Sequence, residues 1–104
     1  MARVIYHRLI RWDLRSALNY YEAEGTTQLA DRFFADVEAT IRAIEQNPTG
    51  HHFSDGGHRG VSLGSFPYHF LFDVDAETIL IAVLRHDRRH PKFGLRRRKP
   101  GGFT

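Results

Sequence analysis

The sequence contains no cysteine and no long apolar run, and each absence excludes a class of structure or chemistry. Without cysteine, the chain of 104 residues can form no disulfide and no thiolate nucleophile. Its longest apolar run, Ile79–Leu84, is far shorter than the ~18 residues that span a bilayer. The residues from Met1 to His7 lack the apolar stretch of a signal peptide. We therefore expect a cytoplasmic protein without a membrane segment.

Charge is distributed unevenly along the chain, whose net charge at pH 7 is +3. Residues 1–84 contain 7 Lys and Arg against 11 Asp and Glu, which gives a net charge of −4. Residues 85–104 contain 8 Lys and Arg against one Asp, which gives a net charge of +7. The cationic end predicts an anionic partner, either nucleic acid or an acidic protein surface. For residues 96–104 alone, a solubilising or disordered basic tail is the alternative interpretation.

The hydrophobic pattern predicts a single α+β domain over residues 1–95, in which a helical hairpin packs on a small antiparallel sheet. The apolar residues have helical spacing over 10–21 and again over 29–44, after an opening strand at 3–7. The period then becomes two, which predicts three further strands at 61–63, 68–74 and 78–84. The predicted order is β-α-α-β-β-β. The last strand is apolar on both faces and is therefore expected at the centre of the sheet.

Aromatic residues on the two predicted helices are interpreted as core, because aromatic side chains at helical spacing usually pack inside. This group comprises Trp12, Tyr20, Tyr21 and Phe33. Phe34 lies one position off the apolar stripe. We expect it to be exposed and to form part of an interface.

One loop contains four potential metal ligands, His51, His52, Asp55 and His58. Imidazole and carboxylate groups can bind zinc, but no two of the three histidines have the i, i+4 spacing of helical metal sites. We interpret the segment as a solvated loop and expect neither a metal nor a cofactor.

His86 follows the predicted central strand, at a point where side chains can converge on a cleft. A histidine can transfer a proton near neutral pH, and the guanidinium groups of Arg59 and Arg89 could bind phosphate and stabilise charge on phosphorus. RNA cleavage requires such a set: a base, an acid and cations between them. The alternative is that His86 hydrogen-bonds the end of the sheet while the arginines are solvated.

The cationic terminal run also contains apolar residues. Phe93 and Leu95 lie between cations, so they could stack on a base or dock in a groove of a partner. An acidic protein surface would suit the same residues.

The stretch RGVSLGSFPYHFLFDVDAETILIAVLRHDRRHP, residues 59–91, resembles the C-terminal half of RelE/ParE superfamily toxins of type II toxin–antitoxin systems, the plasmid stabilisation type. The family pattern has a strand-opening arginine, an FPY motif, an acidic hairpin turn, and I-A-V leading to His-x-x-Arg-x-Pro. The matching residues here are Arg59, Phe66-Pro67-Tyr68, Asp75, Ile81-Ala82-Val83, His86, Arg89 and Pro91. The resemblance covers residues 3–93 and implies the same α+β fold.

The resemblance implies one of two activities. RelE-like members are ribosome-dependent mRNA endoribonucleases (mRNA interferases), for which the catalytic residues here would be His86, Arg59 and Arg89. ParE-like members inhibit DNA gyrase without known catalysis. Position 93 is phenylalanine where RelE-like enzymes have a tyrosine, and residues 49–58 contain no lysine. These departures favour growth arrest by ParE-like action on DNA gyrase.

The resemblance also implies a cognate antitoxin with an acidic segment, which would form a hetero-oligomer with the chain. The target, gyrase or the ribosome with its mRNA, is macromolecular in either case. The residues expected to bind target or antitoxin are Arg85, Arg88, Lys92, Phe93, Arg96, Arg97 and Arg98. A non-toxic relative that only binds an antitoxin is a further alternative.

Overall fold

The computed structural model describes residues 3–97 and contains two helices and four strands. These are β1 (Arg3–Tyr6), α1 (Ile10–Glu24), α2 (Thr27–Gln46), β2 (Arg59–Ser62), β3 (Tyr68–Asp75) and β4 (Thr78–His86). The α+β class and the order β-α-α-β-β-β are confirmed. Arg98 and the rest of the tail beyond residue 97 lie outside the described residues.

The two helices begin and end where the local chemistry favours it. Gly25 follows α1 and donates its backbone N–H to the Tyr21 carbonyl at 3.0 Å. Thr26 caps α2, because its Oγ1 accepts the Leu29 N–H at 3.2 Å. Asn47, which precedes a proline, ends α2. No helix within residues 3–97 is long and apolar enough to cross a membrane.

The sheet has the strand order β1-β4-β3-β2. β4 is antiparallel to β3 and β3 to β2, whereas β1 is parallel to β4. The sheet is therefore mixed, and the prediction of an antiparallel sheet is wrong for β1, because the alternation of apolar residues is the same in parallel and antiparallel strands. β4 lies between β1 and β3 and is buried from Ile79 to Arg85, which confirms its predicted central position.

A β-bulge interrupts β4. Leu71 of β3 pairs with Val83, and the next residue, Phe72, pairs with Ile81. Ala82 is thus the extra residue on β4. Because one extra residue reverses the alternation of faces, the consecutive residues Ala82 and Val83 belong to the same apolar cluster, and Leu84 returns to the cluster of Ile81.

Each face of the sheet has its own apolar cluster. The helices and one face share the larger cluster, which includes Phe33, Phe70, Phe72, Ile79, Ile81 and Leu84. The other cluster contains Leu71, Leu80, Ala82 and Val83, with Ile5, Phe93 and Leu95 packed against them. The residues 91–97, here called the C-terminal segment, therefore cover the second face of the sheet.

The aromatic residues of the helices divide between core and surface. Tyr21 and Phe33 are buried and Phe34 is exposed, as predicted. The prediction that Trp12 and Tyr20 are core is wrong, since they are 58% and 55% exposed. The buried stripe of α1 consists of Asp13, Ala17 and Tyr21. Trp12 and Tyr20 lie one position before members of that stripe, so they face away from the core.

Candidate functional site

An open cleft of about 640 Å³ lies between α1, the adjoining ends of β3 and β4, and the residues that follow β4. From α1, Trp12, Ser16 and Tyr20 line it; their spacing of four places them on one helix face. Tyr68, His86, Arg89 and Phe93 are among the other lining residues. We call this the α1–β4 cleft. Its volume is typical of ligand-binding clefts.

His86 has a defined hydrogen-bonding state in the cleft. Its Nδ1 lies 3.0 Å from the backbone nitrogen of Arg88, whose N–H it accepts. A neutral imidazole that accepts at Nδ1 carries its proton on Nε2. Its ring also contacts that of Tyr68, its cross-strand neighbour, edge to face at 5.1 Å. His86 therefore offers a donor, while the lone pair that a general base needs is already engaged.

Tyr68 and Arg89 add two further donors. Burial raises the pKa of Tyr68, and the neighbouring Tyr20 acts in the same direction while Arg89 opposes it. The Tyr68 hydroxyl is thus protonated at neutral pH. The guanidinium of Arg89 lies 4.0 Å from the centre of the Phe93 ring, a stacking that orients its N–H groups.

Among the described residues that line the cleft, Asp13 is the acidic one, and an ion pair balances its negative charge. Arg97 donates to its two carboxylate oxygens at 2.6 and 3.1 Å, and both side chains are nearly buried. Arg97 also donates to the Ala82 carbonyl at 3.0 Å. The structure therefore gives Arg97, assigned from sequence to partner binding, an internal ion pair.

Arg85 is 4% exposed and lies beneath the C-terminal segment. Its Nε donates to His69 Nε2 at 2.9 Å, and its Nη1 donates to the carbonyls of Pro91 and Phe93 at 2.9 and 3.0 Å. Its Nη2 donates to the Asp55 carboxylate. All three guanidinium nitrogens are engaged, so we leave Arg85 out of the proposed binding surface.

Arg59 lies apart from the cleft. Its Nη1 donates to the carbonyls of Thr49 and His51 at 3.3 and 2.8 Å. It pairs with Phe72 on β3, whereas His86 pairs with Tyr68. Those positions on β3 are four residues or ~13 Å apart at ~3.3 Å per residue. The structure thus brings His86 and Arg89 to one cleft but does not bring Arg59 to them.

The other residues of the sequence-based binding set that the structure describes lie on or near the surface. Phe93 is half-buried and contributes to the α1–β4 cleft. The side chains that are exposed and lie outside the cleft lining are Arg88, Lys92 and Arg96.

His69 and Asp87 form a second histidine–carboxylate pair, with Nδ1 2.8 Å from Oδ1. Such a pair can orient a catalytic base. Here, however, His69 Nε2 accepts from the Nε of Arg85, and arginine can only donate. Neither ring nitrogen of His69 is therefore available to take a proton from a substrate.

The interpretation of residues 51–58 as a solvated loop is wrong for His58, which is buried. Its Nδ1 lies 2.6 Å from the Asp73 carboxylate, and its Nε2 donates to the Leu95 carbonyl at 2.9 Å. His58 thus anchors the C-terminal segment to the sheet. Within residues 3–97, no cluster of three or more His, Cys, Asp or Glu could hold a metal ion.

Sequence reasoning missed Trp12, Tyr20 and Tyr68 as cleft residues. The available signal was the spacing of four that links Trp12, Ser16 and Tyr20, one position off the buried stripe. For Tyr68 the FPY motif indicated a family resemblance but not the position of the hydroxyl.

No family model matches the chain. No curated protein matches it either. Among solved structures, a chain of "Chromosomal ParDE TA system from P. aeruginosa" is similar, with a TM-score of 0.74 and 20% sequence identity. The match covers 83% of this chain and 96% of that chain. At this identity the likeness shows the fold, and it agrees with the fold that the RelE/ParE resemblance implied.

Proposed function

We propose that the chain is the toxin of a type II toxin–antitoxin system and arrests growth by ParE-like inhibition of DNA gyrase. The support is the fold shared with a chain from a ParDE system together with the sequence resemblance over residues 3–93. The protein would act in the cytoplasm, where it would form a hetero-oligomer with its antitoxin.

The hydrogen-bonding state of His86 carries the preference for gyrase over RNA cleavage. General acid–base cleavage needs a group that can take the proton of the attacking 2′-hydroxyl. Nδ1 of His86 is occupied by the Arg88 N–H, and Nε2 already carries the proton. Arg59, the cation expected at the phosphate, holds the loop at Thr49 and His51 instead. These groups suit binding better than catalysis.

A supercoiling assay tests the proposal directly. The purified full chain is titrated into DNA gyrase and relaxed plasmid, and we expect supercoiling to fall as the protein approaches equimolar amounts. The same preparation, added to translating ribosomes, should produce no new mRNA ends by primer extension. Undiminished supercoiling at stoichiometric excess would contradict gyrase as the target.

A ribosome-dependent endoribonuclease is the second candidate, because His86 and Arg89 do line one cleft with Tyr68. This function requires mRNA cuts within translated codons that disappear in His86→Ala. Induced expression without an antitoxin separates both candidates from a non-toxic, antitoxin-binding relative, which would leave growth unchanged.

A further inference from the structure

The polar groups in the α1–β4 cleft are mostly hydrogen-bond donors. His86 has its proton on Nε2, the Tyr68 hydroxyl is protonated, and Arg89 can only donate. The acceptors of Asp13 are engaged by Arg97 and by the Leu84 N–H. A ligand that complements this set supplies acceptors, and a carboxylate is the acceptor group that guanidinium binds best.

The apolar groups in the cleft are aromatic and exposed. Trp12 and Tyr20 present more than half of their surface to solvent, on either side of Ser16 on the same helix face. The buried Ala17 lies behind them and leaves room because it is small. Exposed tryptophan and tyrosine beside an arginine form the composition that dominates protein–protein binding energy.

We infer that the α1–β4 cleft binds an acidic segment of a protein partner, with a carboxylate held by His86 and Arg89 and an adjacent apolar side chain packed on Trp12 and Tyr20. The inference rests on the proposed function for the identity of that partner, which is the antitoxin. It adds the site on this chain, the apolar neighbour of the bound carboxylate and the residues that recognise both.

Single-stranded nucleic acid is the competing anionic ligand, and the cleft suits it less well. Such binding follows the phosphate backbone with a row of cations. Of the three arginines among the described residues of the cleft, Arg85 and Arg97 are ion-paired with Asp55 and Asp13. Arg89 alone remains for an incoming anion, which matches one carboxylate rather than a chain of phosphates.

Selection from a phage-displayed library of random peptides tests the inference even while the sequence of the antitoxin is unidentified. The immobilised full chain serves as bait. We expect the selected peptides to be enriched in Asp or Glu next to Leu, Ile, Phe or Trp. A selected pool without acidic enrichment, or no selected peptides at all, overturns the inference.

The affinity of protein variants for the best selected peptide, labelled with fluorescein, then shows whether the peptide binds in the cleft. Arg89→Gln should weaken its binding about tenfold or more, as expected for a central arginine. Arg42→Gln removes the same charge from an exposed position on α2 outside the cleft lining and should change the affinity less than about twofold. An equal loss in both variants would show general charge attraction and overturn the assignment.

A second pair of variants tests the aromatic part of the site. Ser16→Leu fills the space between Trp12 and Tyr20 and should abolish binding. Asn19→Leu makes the same kind of exposed apolar substitution on α1 outside the cleft lining, and should leave binding unchanged. Peptide binding that survives Ser16→Leu in a folded protein overturns the site.

The outcome is separable from that of the proposed function. A single-stranded RNA of similar size that displaces the peptide, with its own affinity lowered by Arg89→Gln, overturns the inference in favour of nucleic acid. Acidic peptides that bind in the cleft support it even where gyrase is not inhibited, in which case the proposed target fails alone.

Discussion

Arg97 donates to both carboxylate oxygens of Asp13, at 2.6 and 3.1 Å, across 84 residues of sequence. The pair lies where β1 has ended. β1 and the next residue supply hydrogen bonds to β4 as far as Ile81. Beyond it, Arg97 binds the carbonyl of the bulged Ala82 and Asp13 binds the Leu84 N–H. The ion pair thus satisfies backbone groups that no strand reaches and fastens the C-terminal segment to α1.

Removing one member of this pair should destabilise the fold substantially. Arg97→Gln leaves a nearly buried carboxylate without its cation, which costs about 3 kcal/mol of unfolding free energy. Urea denaturation measures this loss. The double variant Asp13→Asn/Arg97→Gln should be less destabilised than the sum of the two single variants, and strict additivity would contradict the coupling.

Arg85 should be irreplaceable by lysine, although the charge is kept. A single ammonium group cannot reach His69, Asp55 and the carbonyls of Pro91 and Phe93 together. Hydrogen exchange in the C-terminal segment should therefore become about tenfold faster or more in Arg85→Lys. Arg88→Lys, at an exposed position, is the control. Unchanged protection in Arg85→Lys would contradict the anchoring role.

Gly57 and Gly94 have nearly equal φ angles, so alanine substitutions at these two positions distinguish the cost of backbone strain from that of steric overlap. Gly57 has φ 80° with no atom within 4 Å of an added Cβ, whereas at Gly94, with φ 78°, the Cβ would lie 2.6 Å from Val83 Cγ2. Gly57→Ala should cost about 1–2 kcal/mol for the left-handed conformation alone. Gly94→Ala should cost about 1–3 kcal/mol more because it overpacks the sheet. Equal losses of unfolding free energy in the two variants, measured by urea denaturation, would show that the C-terminal segment moves away from the sheet freely.

The pH dependence of stability should include a contribution from His7. Burial lowers its pKa from 6.5, with Arg97 and Arg8 acting in the same direction and Asp13 against them. The folded state therefore favours the neutral ring, so this stabilisation is complete above pH 6.5 and is lost as the pH falls below it.

His7→Asn tests this contribution, because asparagine retains an acceptor for the Leu9 N–H that His7 Nδ1 now accepts at 3.1 Å. Between about pH 7.5 and pH 5.5 the wild type should lose more unfolding free energy than the variant. Parallel curves would assign the acid sensitivity to other groups.

The sequence predicts the fold well because its signals are local. The helical stripes, the change to a period of two and the apolar run at Ile79–Leu84 each follow from adjacent residues. The bulge at Ala82 could not be predicted in this way, since nothing in the sequence of β4 distinguishes an unpaired alanine from a paired one. It reverses the alternation and directs Val83 toward the C-terminal segment.

The lining of the α1–β4 cleft could be predicted only in part because it depends on contacts between distant segments. His86 and Arg89 were identified since both follow the central strand. The cationic end itself is divided: Arg85 and Arg97 hold the fold together, whereas Arg88, Lys92 and Arg96 are exposed. These cations are equivalent in the composition. Only the positions of Asp55 and Asp13 in the fold distinguish the buried, ion-paired Arg85 and Arg97 from the exposed cations.

The toxicity of the His86→Gln variant tests the central claim most directly. That claim is that His86 serves as a neutral donor in a protein that binds its target without cleaving RNA. Glutamine keeps a neutral N–H donor but cannot transfer a proton near neutral pH. Expressed without antitoxin at the wild-type level, the variant should arrest growth to nearly the same extent. Full loss of toxicity in a folded His86→Gln protein, together with mRNA cuts made only by the wild type, would contradict the account.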